Sequence, residues 1–156
     1  MFKSINEIDR FDFEDCVLAG ISNAEDGLVF SVEALIVKAD NSQNTNYTDS
    51  YAGSTEIKLN NASIKEILKS GYKYYDANGK LLKEVSDEPV LKPEWGSLIK
   101  TFEGNYLPDI SLEGNMYTVE VEMIDEDGTQ GNSYLLKVEA EGVTVTWEKY
   151  MNRVQR

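Results

Sequence analysis

Three runs near the C-terminal end alternate apolar and polar residues with a period of two. Tyr117, Val119, Val121 and Met123 alternate with Thr118, Glu120 and Glu122. Leu136, Val138 and Ala140 alternate with Lys137 and Glu139, and Val143, Val145 and Trp147 with Thr144, Thr146 and Glu148. Successive side chains of an extended chain point to opposite faces, so these runs predict antiparallel strands with one buried and one wet face.

The pattern continues upstream. In residues 55–59, Ile57 and Leu59 take one face and Glu56 and Lys58 the other. Residues 16–22 read as a strand, followed by turn material at Glu25, Asp26 and Gly27. Residues 28–38 (LVFSVEALIVK) are apolar and rich in branched side chains, which predicts one long central strand. Residues 40–50 are polar and read as a loop. Residues 63–68 fit two readings: Ile64, Ile67 and Leu68 suit a helix face, while the neighbouring strands and Asn60-Asn61 suit a strand. Residues 72–75 and 81–85 flank Asp76-Ala77-Asn78-Gly79, a hairpin turn, because Asn-Gly accepts positive φ. Ser4 with Glu7 three residues on has the spacing of a capping box and predicts one or two helical turns.

One segment carries a helical period. Pro93 suits a first helical position, and Trp95, Leu98, Ile99 and Phe102 form an i, i+3, i+4, i+7 stripe. Gly104 follows as a terminator. The stripe reads as core. The expected fold is therefore mainly β (α+β): an antiparallel sheet or sandwich of about eight strands, with one amphipathic helix near residues 93–103, in a single domain, 1–156. An internal duplication is also legible. Phe13, Leu18 and Ile21 match Phe102, Leu107 and Ile110 at one constant offset, and Phe30, Ile57 and Ile64 find later counterparts in Tyr117, Leu136 and Val143.

Charge bears on function. The chain carries 28 acidic and 15 basic residues, net −13, and no histidine. Residues 1–78 hold 13 acids and 7 bases and residues 79–156 hold 15 and 8, so the acidity belongs to the whole surface rather than to a tail. Such a surface repels nucleic acid and anionic lipid and attracts basic proteins. Without imidazole, serine triads and cysteine–histidine pairs in their usual form are excluded. Cys16 is the only cysteine, so no intrachain disulfide forms; it opens an apolar strand and reads as buried and inert. Residues 1–7 have no apolar core of a signal peptide, and no stretch approaches the ~18 apolar residues of a membrane span. The expected setting is cytoplasmic.

Three constellations remain. Asp9, Asp12, Glu14 and Asp15 lie close in sequence, and a two-carboxylate hydrolase needs only such acids. Asp40-Asn41-Ser42-Gln43-Asn44 begins like a calcium loop but has Thr45 where an EF-hand needs Gly and Tyr51 where it needs Glu; Asp125 and Asp127 form a shorter acidic turn and are weak calcium candidates. Tyr47, Asp49 and Tyr51 lie in a polar loop and read as a recognition surface, since tyrosine gives large contact area at low entropic cost. No cofactor is expected.

Several stretches carry a resemblance: Phe11-Asp12-Phe13-Glu14-Asp15-Cys16, Tyr51-Ala52-Gly53-Ser54-Thr55, Gly71-Tyr72-Lys73-Tyr74-Tyr75-Asp76 and Trp147-Glu148-Lys149-Tyr150-Met151-Asn152-Arg153. Together they resemble small acidic proteins of uncharacterised bacterial families, some of which resemble immunity proteins of toxin systems. The resemblance transfers no catalytic residue; it implies a protein-binding role. The leading expectation is a non-catalytic module that binds a basic protein through Tyr47, Asp49 and Tyr51. The alternatives are a calcium- or glycan-binding β module and the two-carboxylate hydrolase. Oligomeric state is left open.

Overall fold

The computed structural model describes residues 1–123 and 132–155. The chain opens with β1 (Phe2–Ile5). Ser4 Oγ donates to Glu7 Oε1 at 2.7 Å, so the Ser–Glu pair forms, but it braces the turn after a strand and caps no α-helix. Asn6 adopts φ 54°, and a single 3-10 turn, Ile8–Arg10, follows. Then come β2 (Phe11–Asp12), β3 (Val17–Ala24) and β4 (Gly27–Glu33). The single strand expected over residues 28–38 is two. Ala34 takes a left-handed φ of 59°, which turns the chain out of the first sheet, and β5 (Ile36–Val37) pairs in another. The sequence disguises this break because the turn is made by alanine rather than glycine.

After the polar loop come β6 (Ser50–Ala52), β7 (Thr55–Asn60) and β8 (Ser63–Lys69), which resolves residues 63–68 as a strand. The expected hairpin is β9 (Tyr72–Tyr75) and β10 (Leu81–Val85), followed by β11 (Glu88–Pro89). The helix is shorter than expected: a 3-10 turn at Lys92–Glu94 leads into α1 (Trp95–Lys100), and Thr101 Oγ1 caps it by donating to Leu98 O at 2.6 Å. Phe102 lies beyond the helix yet is fully buried, while Trp95, Leu98 and Ile99 are half-buried and pack against the core from outside. The rest is β12 (Tyr106–Glu113), β13 (Met116–Met123), β14 (Asn132–Glu139), β15 (Gly142–Trp147) and β16 (Tyr150–Arg153). The turn expected at residues 125–132, with Asp125 and Asp127, lies outside the described residues except for Asn132.

The main sheet has ten strands rather than about eight, in the order β1-β15-β7-β4-β3-β12-β13-β14-β8-β11, all antiparallel where paired. The count exceeds the expectation because short β1 and β11 add an edge at each side. A second sheet, β16-β6-β5-β2, and the β9–β10 ribbon complete the architecture.

The connections dictate how the sheet bends. Only Asn61 and Ala62 link β7 to β8, which stand six ladder steps apart. A flat sheet would separate them by about 29 Å, whereas two linking residues reach about 11 Å. Ala140 and Glu141 link β14 to β15 under the same constraint. The sheet must therefore fold over on itself, and the two linkers meet at one corner: Asn61 Nδ2 donates to Glu141 Oε2 at 2.6 Å, and Glu141 N to Asn60 O at 2.9 Å. Each set of three adjacent strands, β3-β4-β7 and β12-β13-β14, thus receives its fourth strand from the other half of the chain. The seam between the sets is thin: the β3–β12 ladder pairs only Val17 with Tyr106.

The inward residues of both sets, among them Phe30, Ile57, Leu59, Val119, Val121, Leu136 and Val138, belong to one buried cluster with Trp147 and Phe102. Each such side chain contributes about 1.5–3 kcal/mol by leaving water. Among the described residues no helix is long and apolar enough to cross a membrane.

Candidate functional site

The β9–β10 hairpin stands apart from this core. Its turn is held by Asp76, whose Oδ1 accepts from the backbone of Asn78 and of Lys80, both at 2.9 Å, while Gly79 takes φ 81°. At its root Gly71 N donates to Asp87 Oδ1 at 2.6 Å, and a Cβ on Gly71 would fall on the carbonyl of Val85. Along the ribbon Tyr72 and Tyr74 meet edge to face at 4.9 Å, and Lys83 Nζ lies 5.9 Å from the Tyr72 ring.

None of this buries the ribbon. Tyr72, Tyr74 and Tyr75 are 45%, 46% and 57% exposed, and Leu82 is 65% exposed. Of the twelve large apolar side chains exposed among the described residues, six fall within residues 72–91. A two-stranded ribbon with no layer beneath it is marginal by itself. Exposed apolar side chains gathered on one element mark a contact surface.

An acidic face adjoins the hairpin. Ser133 lines the crevice at the hairpin root with Tyr72 and Tyr74, and Ser133 pairs with Glu122, which pairs with Tyr106. One step along, Asp109 on β12 stands opposite Glu120 on β13. Val119 and Val121 face inward, so Glu120 and Glu122 face outward. Partial burial, then the charges of Asp109 and Glu122, push the Glu120 carboxyl above its ordinary range. Like charges directly opposed across a ladder are destabilising. Lys137, opposite Thr118 on the neighbouring strand, gives its ammonium to Thr118 Oγ1 at 3.0 Å. Among the described residues no ion pair reaches Asp109, Glu120 or Glu122.

The structure gives the three loop residues expected to act together different surroundings. Tyr47 projects outward, 94% exposed, with φ 60°. Asp49 works within the loop: its Oδ1 accepts from Ala39 N at 2.8 Å. Tyr51 lies in β6 and donates its hydroxyl to the Asp15 carboxylate. Asn44 Nδ2 ties the loop together by donating to Val37 O, Lys38 O and Thr48 O. The calcium-like start of this loop is likewise in structural use: Asp40 pairs with Arg10 at 3.1 Å, Asn41 is buried against Ser4, and Ser42 bonds Glu7. Among the described residues no three Asp, Glu, His or Cys side chains converge as metal ligands. The acids near the N-terminus also diverge, since Asp12 Oδ1 accepts from Glu14 N at 2.9 Å while Asp15 takes Tyr51. Cys16 is 1% exposed, and burial, with the charge of Glu33, pushes its thiol up to about 12.

Comparison of the chain with protein-family models, with curated proteins and with solved structures gives no match in any of the three. The site's chemistry is thus read from its own geometry: aromatic and aliphatic anchors on a projecting ribbon, beside carboxylates that repel one another.

Proposed function

We propose that this protein is a non-catalytic binding module that engages a basic protein, in the manner of an immunity or inhibitor protein. The observation that carries the reading is the opposed pair Asp109 and Glu120 beside the exposed Tyr72, Tyr74 and Leu82. A cationic side chain placed over the acid pair relieves its repulsion, and the apolar anchors bury on contact. The net charge of −13 steers the encounter, and the aromatic anchors supply the slow dissociation. Tyr47, the outward member of the loop, is a secondary contact. The lone buried Cys16 suits a reducing setting, so the proposed meeting place is the cytoplasm.

A duplicated ancestry for the two sets of strands is part of this reading, supported by their reciprocal exchange of a fourth strand and by the burial of Phe13 and Phe102, and of Leu18 and Leu107, at matching positions. The functional test is capture from native lysate at low salt with wild type, Tyr72→Ala/Tyr74→Ala/Leu82→Ala, and Asp109→Asn/Glu120→Gln. A single basic protein held by wild type, released by salt and lost by both variants is the expected result. A partner that is acidic, or that both variants retain, refutes the reading.

A further inference from the structure

Residues 72–85 are the least acidic part of an acidic chain. They hold Lys73, Lys80 and Lys83 against Asp76 and Glu84, a net +1, which leaves −14 on the remainder. The ribbon's two acids are already engaged: Asp76 holds the turn, and Glu84 pairs with Lys73 at 3.6 Å. Lys80 and Lys83 are exposed and, among the described residues, make no ion pair. Lys83 stands opposite Tyr74 across the ribbon, so it shares a face with Tyr72 and Tyr74. That face borders the same crevice as Ser133, whose ladder partner is the outward Glu122. Free cations on the ribbon thus lie side by side with the free acids Asp109, Glu120 and Glu122 on the sheet.

Two adjoining patches of opposite sign match themselves under a two-fold rotation. A ribbon set on the acidic face of a second copy brings that copy's ribbon onto the first one's acidic face. Two copies of net charge −13 repel at long range, but physiological salt screens exposed charges beyond about 8 Å, so the charges at the contact decide. We propose that the purified protein forms a two-fold dimer: Lys80 and Lys83 of each ribbon lie against Asp109 and Glu120 of the other copy, with Tyr72 and Tyr74 covered between them. The proposal rests on the binding surface argued above and adds its regulation, since the dimer covers the surface that a basic partner must reach.

The test is sedimentation velocity of the whole chain over a concentration series at physiological salt. Wild type is expected to pass reversibly from monomer to dimer, with dilution-dependent amide shifts in both residues 72–85 and residues 116–122. Lys80→Glu/Lys83→Glu and Asp109→Lys/Glu120→Lys each weaken the dimer at least ~10-fold, because each sets like charges at both contacts. An equimolar mixture of the two variants restores it, because their heterodimer is complementary at both. A wild type that stays monomeric overturns the proposal, as do variants that dimerise like wild type, a mixture that stays monomeric, or shifts outside the two patches. The wild-type series decides the matter even if a variant fails to fold. The two readings fail separately: a monomer that captures a basic protein overturns the dimer alone, and a dimer from which lysate yields no basic protein supports the self-contact and refutes the partner.

Discussion

Glu120→Gln is expected to stabilise the protein. Glu120 stands opposite Asp109 on the outer face, and burial and then its acidic neighbours hold its carboxyl above the ordinary 4.5. Opposed cross-strand charges are worth about 0.2–1 kcal/mol; Asp109 is exposed and Glu120 only half-buried, so water screens the pair and the lower part of that range applies. For a domain of this size each kcal/mol moves Tm by about 2–4 °C, which makes the gain roughly 1–2 °C at neutral pH and low salt. The sign with pH follows from the raised carboxyl. Glu120 favours the folded state below its unfolded pKa, where it is neutral, and costs stability as pH rises and the folded protein must bear the charge. The advantage of the glutamine should therefore vanish in acid and grow toward neutrality. Differential scanning calorimetry at two salt concentrations and across pH 3–8 reads it. Asp109→Asn should give a similar gain, and the double variant less than the sum, because either change alone removes the repulsion. A loss of stability, or a gain indifferent to salt and pH, refutes the argument.

Gly71→Ala sets a Cβ against the Val85 carbonyl and should unlatch the hairpin root, seen as lost amide protection in residues 72–85 with the core amides unchanged. Burial raises the Glu7 carboxyl, but hydrogen bonds from Ser42 and Ser4 and the charge of Arg10 outweigh it and hold it below its usual range. Glu7→Gln should thus cost about 1 kcal/mol at neutral pH, with the deficit fading as pH falls through the folded pKa, as denaturant titrations at several pH values would show. Cys16, with its thiol pushed up to about 12, should resist an aromatic disulfide reagent in the native protein and react at once in denaturant.

The strands most legible in the sequence are those with one wet face. Val119, Val121, Leu136, Val138, Val143 and Val145 are buried where the alternation placed them. The Asn78-Gly79 turn was legible for a local reason, a positive φ. What local pattern cannot hold is partnership. β8 follows β7 after two residues yet pairs with β14, and nothing in residues 55–69 distinguishes that from a hairpin. The exposure of the ribbon was illegible for the converse reason. Tyr72, Tyr74, Leu81 and Leu82 look like core residues in sequence, and only the missing layer beneath them shows otherwise. The polar loop drew attention for its tyrosines; the sequence did not show that Asp49 accepts from Ala39 N and that Tyr51 donates to Asp15.

The exchange of fourth strands makes the molecule a natural clasp. A break in the chain at Asn78, in a ribbon that adds nothing to the core, would leave two pieces, each carrying the fourth strand that the other's set of three lacks. Neither piece can close its own sheet, and each is the template for the other. Their reunion would turn folding into a bimolecular event governed by concentration.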